Sequence, residues 1–222
     1  MAADELRELA GLMESRANVY GLLSRCFEVE IDAGFAAELS GRFEFDSDDE
    51  ALASELSGMC EALAGIDEDG LEQLAVVFDR AFYGMGPRTA QKAFPYESVY
   101  TSDRGIMMQD AYIEARRAYR EHGLAKDESF TEPDDHIAVE LAFMRELASR
   151  CKGALEQGDE EAAAGLVGEQ RAFLADHLLN WAGRFAVDLE KSAEGGFYVH
   201  LARFTARFLR LDAGMLADMV DE

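Results

Sequence analysis

Apolar residues recur at intervals of three and four along most of the chain, a period that admits an amphipathic helix and excludes a paired strand. Leu6, Leu9, Met13, Tyr20, Leu23 and Phe27 fall on one face of a long opening helix, whose polar face carries Glu8, Glu14 and Arg25. A shorter helix is expected over Ile31 to Gly41. Ser47-Asp48-Asp49-Glu50 has the form of a capping box, continued by Leu52, Leu56, Met59 and Leu63. Leu71, Leu74, Phe78 and Phe82 give the next stripe, which Gly84-Met85-Gly86-Pro87 ends.

From Gly84 to Asp103 the period disappears, and an aromatic loop of this length, with Phe94, Tyr96 and Tyr100, is expected to serve function or a partner. Asp103 is expected to cap a helix with Met108, Ala111, Tyr112, Ala115 and Tyr119 on its buried side, closed by His122-Gly123. After an irregular Leu124 to Thr131, Thr131-Glu132-Pro133-Asp134 reads as a helix start, followed by Ile137, Leu141, Met144, Ala148, Cys151 and Leu155. Asp159 opens a bent helix through Leu166, Phe173, Leu174, Leu178, Trp181, Phe185 and Leu189, stopped by Gly195-Gly196. The last helix sets Phe197, Leu201, Phe204, Phe208 and Leu211 opposite Arg203, Arg207 and Arg210. Arg42-Phe43-Glu44-Phe45 alternates too briefly for a strand. The expected fold is all-α, a helical bundle of residues 1–222, with a possible division into 1–122 and 132–222 about a hinge at 123–131.

With 222 residues and 49% hydrophobic content, the chain can bury a full core. A net charge of −24 repels phosphate backbones and anionic membrane surfaces, so nucleic acid is not an expected partner. That charge serves either solubility or the attraction of a basic ligand. The first residues lack a basic n-region and an apolar h-region, and no run of about 18 apolar residues follows, so a cytoplasmic protein without stable membrane insertion is expected. Cys26, Cys60 and Cys151 read as reduced core thiols.

Motifs for common chemistries are missing. Lys92, Lys126, Lys152 and Lys191 follow Gln, Ala, Cys and Glu, so no Gly-Lys step of a P-loop exists. Tyr119, Pro133, Leu174 and Phe197 stand three residues before the four histidines, where a di-iron bundle needs Glu. No Gly-x-Ser-x-Gly elbow occurs. The expectation is therefore no enzyme, no cofactor and no metal site. The richest polar cluster is Glu132-Pro133-Asp134-Asp135-His136 with Glu140 one turn on; it either attracts a cation or guanidinium, or complements the helix dipole while His136 pairs with Glu140. Asp135 and His136, at a helix start beside an exposed segment, are expected to serve binding more than folding. His177, beside Trp181, reads as a satisfied core histidine. The C-terminal arginine face is either a membrane or partner helix or a solvated face paired with carboxylates, and Met107-Met108 either forms an adaptable peptide groove or fills core.

Phe94-Pro95-Tyr96-Glu97-Ser98-Val99-Tyr100, the Tyr119 to Gly123 helix end and Glu132-Pro133-Asp134-Asp135-His136 through Met144 resemble, in order and spacing, the TorD/DmsD family of cytoplasmic maturation chaperones. The likeness is close over residues 94–147. Tyr20-Gly21-Leu22-Leu23 with Phe27, and Phe78 to Gly84, look like the family's shorter N-terminal signatures, while the C-terminal third agrees only in helical pattern. The resemblance implies an all-helical chaperone that binds the twin-arginine leader and body of a molybdenum-cofactor oxidoreductase until cofactor insertion is complete. It implies a peptide-binding surface of Tyr20, Phe82, Tyr96, Ser98, Tyr100, Pro133, Asp135 and His136, with Tyr96 and Tyr100 in place of tryptophans common in the family's pocket. An acidic, aromatic pocket suits an Arg-Arg pair, and a helix-in-groove mode would bury the apolar run that follows. Alternatives are a guanine-nucleotide-binding switch, which the missing P-loop disfavours, and a structural or regulatory helical protein; a homodimer exchanging helical halves is conceivable.

Overall fold

The computed structural model describes residues 2–42, 49–85, 92–193 and 195–221. Among them the fold is all-α: α1 (Ala3–Glu28), α2 (Ala33–Arg42), α3 (Glu50–Leu63), α4 (Glu68–Phe82), α5 (Glu97–Thr101), α6 (Asp110–Glu121), α7 (Ile137–Gln157), α8 (Glu160–Phe173), a π turn (Leu174–Leu178), α9 (Leu179–Ala193) and α10 (Phe197–Asp221). The β-type pairing among these residues is an isolated antiparallel bridge between Tyr96 and His136. Phe43 to Phe45, and Ser47 and Asp48 of the expected capping box, lie outside the described residues. Asp49 is the N-cap of α3 and accepts the Leu52 N–H at 2.8 Å. Asp159 caps α8 in the same way through the Ala162 N–H at 3.0 Å.

Two expected helix starts move. α6 begins at Asp110 rather than after Asp103, and Met108, expected on its buried face, is exposed at φ 59° before the helix. α7 begins at Ile137 rather than after Thr131, because the bridge with Tyr96 keeps His136 extended at φ −76°, ψ 138°. From Ile137 onward the expected stripe holds, with Ile137, Leu141, Met144, Ala148, Cys151 and Leu155 all buried. The expected irregular stretch from Gly84 to Asp103 contains the short α5. The long helix expected to open at Asp159 is divided into α8 and α9 by the π turn at Leu174–Leu178.

The chain divides into two compact units, each built from separate segments. The first comprises residues 1–25, 96–181 and 209–222, the second 26–95 and 182–208. The expected hinge at 123–131 therefore lies inside one unbroken piece of the first unit. In that unit α7 packs along α8, and Gly158 makes the sharp turn between them at φ 71°, a conformation that favours glycine. The second unit is centred on aromatic rings: Phe82 meets Phe27 at 6.0 Å, Phe78 at 4.7 Å and Tyr198 at 5.9 Å. Its exposed Arg203 and Arg207 pair with Glu190 and Asp49, as expected of a solvated face.

A charged knot closes the first unit from both ends of the chain. Arg16 of α1 is buried, and its Nε and Nη2 donate to the two oxygens of Asp212 in α10 at 2.5 and 2.8 Å. Its Nη1 donates to Gln170 Oε1 of α8 at 2.6 Å, and the Tyr20 hydroxyl donates to Asp212 Oδ2 at 2.6 Å. Asp212 occupies the buried position one turn after Phe208, so Leu211, expected inside, is 40% exposed. Removing only the cation strands a buried carboxylate, so Arg16→Met should cost about 3 to 5 kcal/mol in urea denaturation. Arg16→Met combined with Asp212→Leu should recover much of that loss; a double variant as unstable as the sum of the singles would show that the knot is held by something other than charge pairing.

Candidate functional site

The richest polar segment of the sequence, residues 132–136, is folded into the first unit. Asp135 is 0% exposed. Its carbonyl accepts the Glu97 N–H at 2.9 Å and its Oδ2 accepts the Ser98 N–H at 3.0 Å. α5 begins after Tyr96, whose side chain makes no capping bond, so Asp135 serves as the N-cap that α5 lacks locally. The Tyr119 hydroxyl donates to the Asp134 carbonyl at 3.0 Å, and the Tyr96 hydroxyl bonds Glu132 Oε2. Ser98 Oγ accepts the Gln109 N–H at 3.0 Å, which ties the approach to α6 onto α5.

His136 caps α7. Its Nδ1 accepts the Ala138 N–H at 3.1 Å, which requires a neutral ring with its proton on Nε2. The ring lies edge-on to Tyr96 at 5.3 Å and to Phe130 at 5.1 Å. Burial, with Lys126 nearby, lowers its pKa from the ordinary 6.5 to about 3. The expected pairing of His136 with Glu140 is not formed, since the ring nitrogen is committed to the helix start and Glu140 turns to Trp181.

Beneath this turn lies a second polar group. His177 Nδ1 stands 2.7 Å from Glu97 Oε2, which satisfies the histidine as expected, and Trp181 Nε1 donates to Glu140 Oε2 at 3.1 Å. Donor atoms of Glu97, Glu140 and His177 lie within 4.8 Å of one another, so this is the place among the described residues where side chains could meet around a metal ion. Protons offer these acids another form of neutralisation. Burial and the adjacent Glu97 push the Glu140 carboxyl well above the usual range, and burial also raises Asp135 against the hydrogen bond from Ser98.

Of the eight residues implied as a peptide surface, six are buried: Tyr20, Phe82, Tyr96, Ser98, Asp135 and His136. Tyr100, stacked on Trp181 at 5.6 Å, and Pro133 are partly accessible. Tyr96, Ser98, Asp135 and His136 come together directly. Tyr20 is engaged in the Asp212 knot, and Phe82 belongs to the second unit. Asp135 and His136 are thus interior helix caps rather than residues of an exposed segment, and their truncation must carry a stability cost. Sequence reasoning missed the Glu97, Glu140 and His177 grouping. Its one local signal was Glu140 on the buried side of α7, immediately before Leu141.

A family model described as the nitrate reductase delta subunit matches residues 45–187. The chaperone protein TorD of Photobacterium profundum is 31% identical over 219 residues, covering 95% of this chain and 98% of that protein. The chain belongs to the TorD/DmsD family of maturation chaperones. TorD of Vibrio cholerae serotype O1 (strain ATCC 39541) is 29% identical over 98% of this chain and 99% of the relative. A solved Archaeoglobus fulgidus chain described as a redox enzyme maturation protein shares the fold at a TM-score of 0.53 and 20% identity, covering 88% of this chain and 93% of its own.

In this TorD/DmsD chain the signature residues Tyr96 to Ser98 and Asp134 to His136 are two halves of one buried construction. No helix among the described residues is long and apolar enough to cross a membrane. The depressed His136 pKa gives the construction a pH dependence. The folded state takes up its proton only near pH 3 whereas the unfolded chain does so near 6.5, so stability is lost as pH falls through that window. Asn in place of His136 keeps a capping oxygen and removes the titration. His136→Asn should therefore gain about 2 to 3 kcal/mol relative to the unsubstituted protein between pH 7.5 and 4.5, read by urea denaturation at each pH. Parallel pH profiles would show that the ring titrates normally.

Proposed function

We propose that this chaperone binds the twin-arginine leader, and in turn the body, of a molybdenum-cofactor oxidoreductase in the cytoplasm, and withholds it from export until its cofactor is inserted. The observation that carries the reading is the near full-length match to chaperones named TorD. The net charge of −24 supports it by favouring a basic ligand. Tyr100 and Pro133 are the members of the implied peptide surface able to touch a client directly. Tyr20, Phe82, Tyr96, Ser98, Asp135 and His136 act on binding from the interior, by fixing the helices that carry the surface. The role is holding, not catalysis.

An arginine pair offers planar, multi-donor forks to carboxylates that lysine cannot match, and a hydrogen bond to a charged group contributes about 1.5 to 3 kcal/mol. Calorimetric titration should therefore rank an Arg-Arg leader above its Lys-Lys counterpart, and both above a leader with a scrambled apolar run. Affinity should fall between tens and hundreds of millimolar salt while the apolar contribution persists. Equal binding of all three peptides would reduce the interaction to unspecific charge attraction.

A further inference from the structure

Two acids and an imidazole from separate parts of the sequence meet inside the first unit. Glu97 opens α5, Glu140 lies in the first turn of α7, and His177 stands in the π turn between α8 and α9. One donor atom from each lies within 4.8 Å of the other two. All three are buried, and His177, at 7% exposed and beside the exposed Asp176, comes nearest to solvent. The hydrogen bonds of the group leave one acceptor over. Trp181 Nε1 donates to Glu140 Oε2 and His177 Nδ1 bonds Glu97 Oε2, while Glu140 Oε1, wholly buried, has no hydrogen-bond partner among the described residues. The carboxylate that carries this oxygen is the one turned toward Glu97 and His177. Glu97, beside it, is another carboxylate and donates nothing unless it holds a proton. Buried carboxylates in contact need a positive partner.

We propose that Glu97, Glu140 and His177 form a binding site for one divalent transition-metal ion of the zinc class, which ties α5, α7 and the π turn together. Two carboxylates and a neutral imidazole bring two negative charges, which a single such ion cancels. A mixed nitrogen and oxygen set suits Zn²⁺ or Co²⁺, whereas Ca²⁺ and Mg²⁺ take oxygen ligands. Donors that each stand about 2.0 to 2.2 Å from one ion are at most about 4.4 Å apart, so side-chain shifts of a few tenths of an ångström close the site. The surroundings already orient the ligands: the Trp181 indole holds Glu140, and the Phe173 ring stacks on His177 at 4.5 Å. A π turn set between α-helices is itself a frequent feature of functional sites. The sequence shows no ligand spacing because each ligand comes from a different element, which is why the expectation there was of no metal site.

The test is calorimetric titration of the chelator-stripped full chain with Zn²⁺, with melting curves run alongside. The unsubstituted chain should bind one equivalent and melt at a higher temperature when loaded. Glu140→Gln keeps the side-chain size and an acceptor for Trp181 but removes the charge. This variant and His177→Gln should each weaken Zn²⁺ by at least the roughly tenfold to hundredfold that loss of an orienting partner costs. His200→Gln, which removes a histidine paired with Glu55 outside the trio, is the control and should change affinity by less than about threefold. The chain has one tryptophan, and its indole N–H lies on Glu140, so that single indole resonance should shift with Zn²⁺ and broaden with paramagnetic Co²⁺. Should both ligand variants fail to fold, this resonance in the unsubstituted chain decides. No bound equivalent, or an indole resonance that neither ion moves, would overturn the site and leave the two acids neutralised by a shared proton. Binding that Glu140→Gln and His177→Gln both keep, or that His200→Gln weakens equally, would overturn it in favour of surface groups.

Discussion

The first turn of α5 leaves backbone N–H groups in the interior of the first unit, and the distant Asp135 satisfies two of them, Glu97 with its carbonyl and Ser98, 37 residues away, with its carboxylate. An unpartnered buried N–H costs about 1 to 3 kcal/mol, so this one residue decides whether α5 can sit where it does. Much of the polar interior follows from that placement. Glu97 reaches His177, Ser98 receives the Gln109 N–H ahead of α6, and Tyr100 stacks on Trp181, whose indole in turn serves Glu140. The neighbouring His136 turns the chain into α7, so consecutive residues start two helices.

Helices whose stability comes from one apolar stripe were legible in the sequence. α3, α4, α8 and α10 lie where the spacing puts them, and Asp49 and Asp159 cap α3 and α8 because the acceptor lies three residues from its donor. What could not be read locally depends on partners far along the chain. α5 is too short to show a period, and its cap comes from Asp135. The start of α7 is set by a bridge to Tyr96 that overrides the helix-start chemistry of Thr131 to Asp134. Arg16 did leave a trace, since it stands between Met13 and Tyr20 on the apolar face of α1, where a charge has to find a buried counter-ion. That counter-ion, Asp212, lies 196 residues away.

The same separation of local from distant explains the candidate site. Tyr96, Ser98, Asp135 and His136, which carry part of the family resemblance, come together in the first unit, but all are buried, and their chemistry is spent on the fold around them. A polar signature of this kind specifies the shape of a binding protein without being its surface. Under the proposed leader binding, recognition would fall to accessible groups such as Tyr100 and Pro133 and to a negative exterior that draws basic segments from a distance.

That division of labour is tested most directly by native-state hydrogen exchange at the Ser98 and Ala138 amides, whose acceptors are Asp135 and His136. If the signature turn is an interior fixture, both amides exchange only through opening of the whole first unit, and a bound leader slows them no more than it slows the core of α7. Fast exchange at these two amides in the free protein, with protection that appears selectively when leader is added, would contradict the account and make the turn itself the part that opens to receive the client.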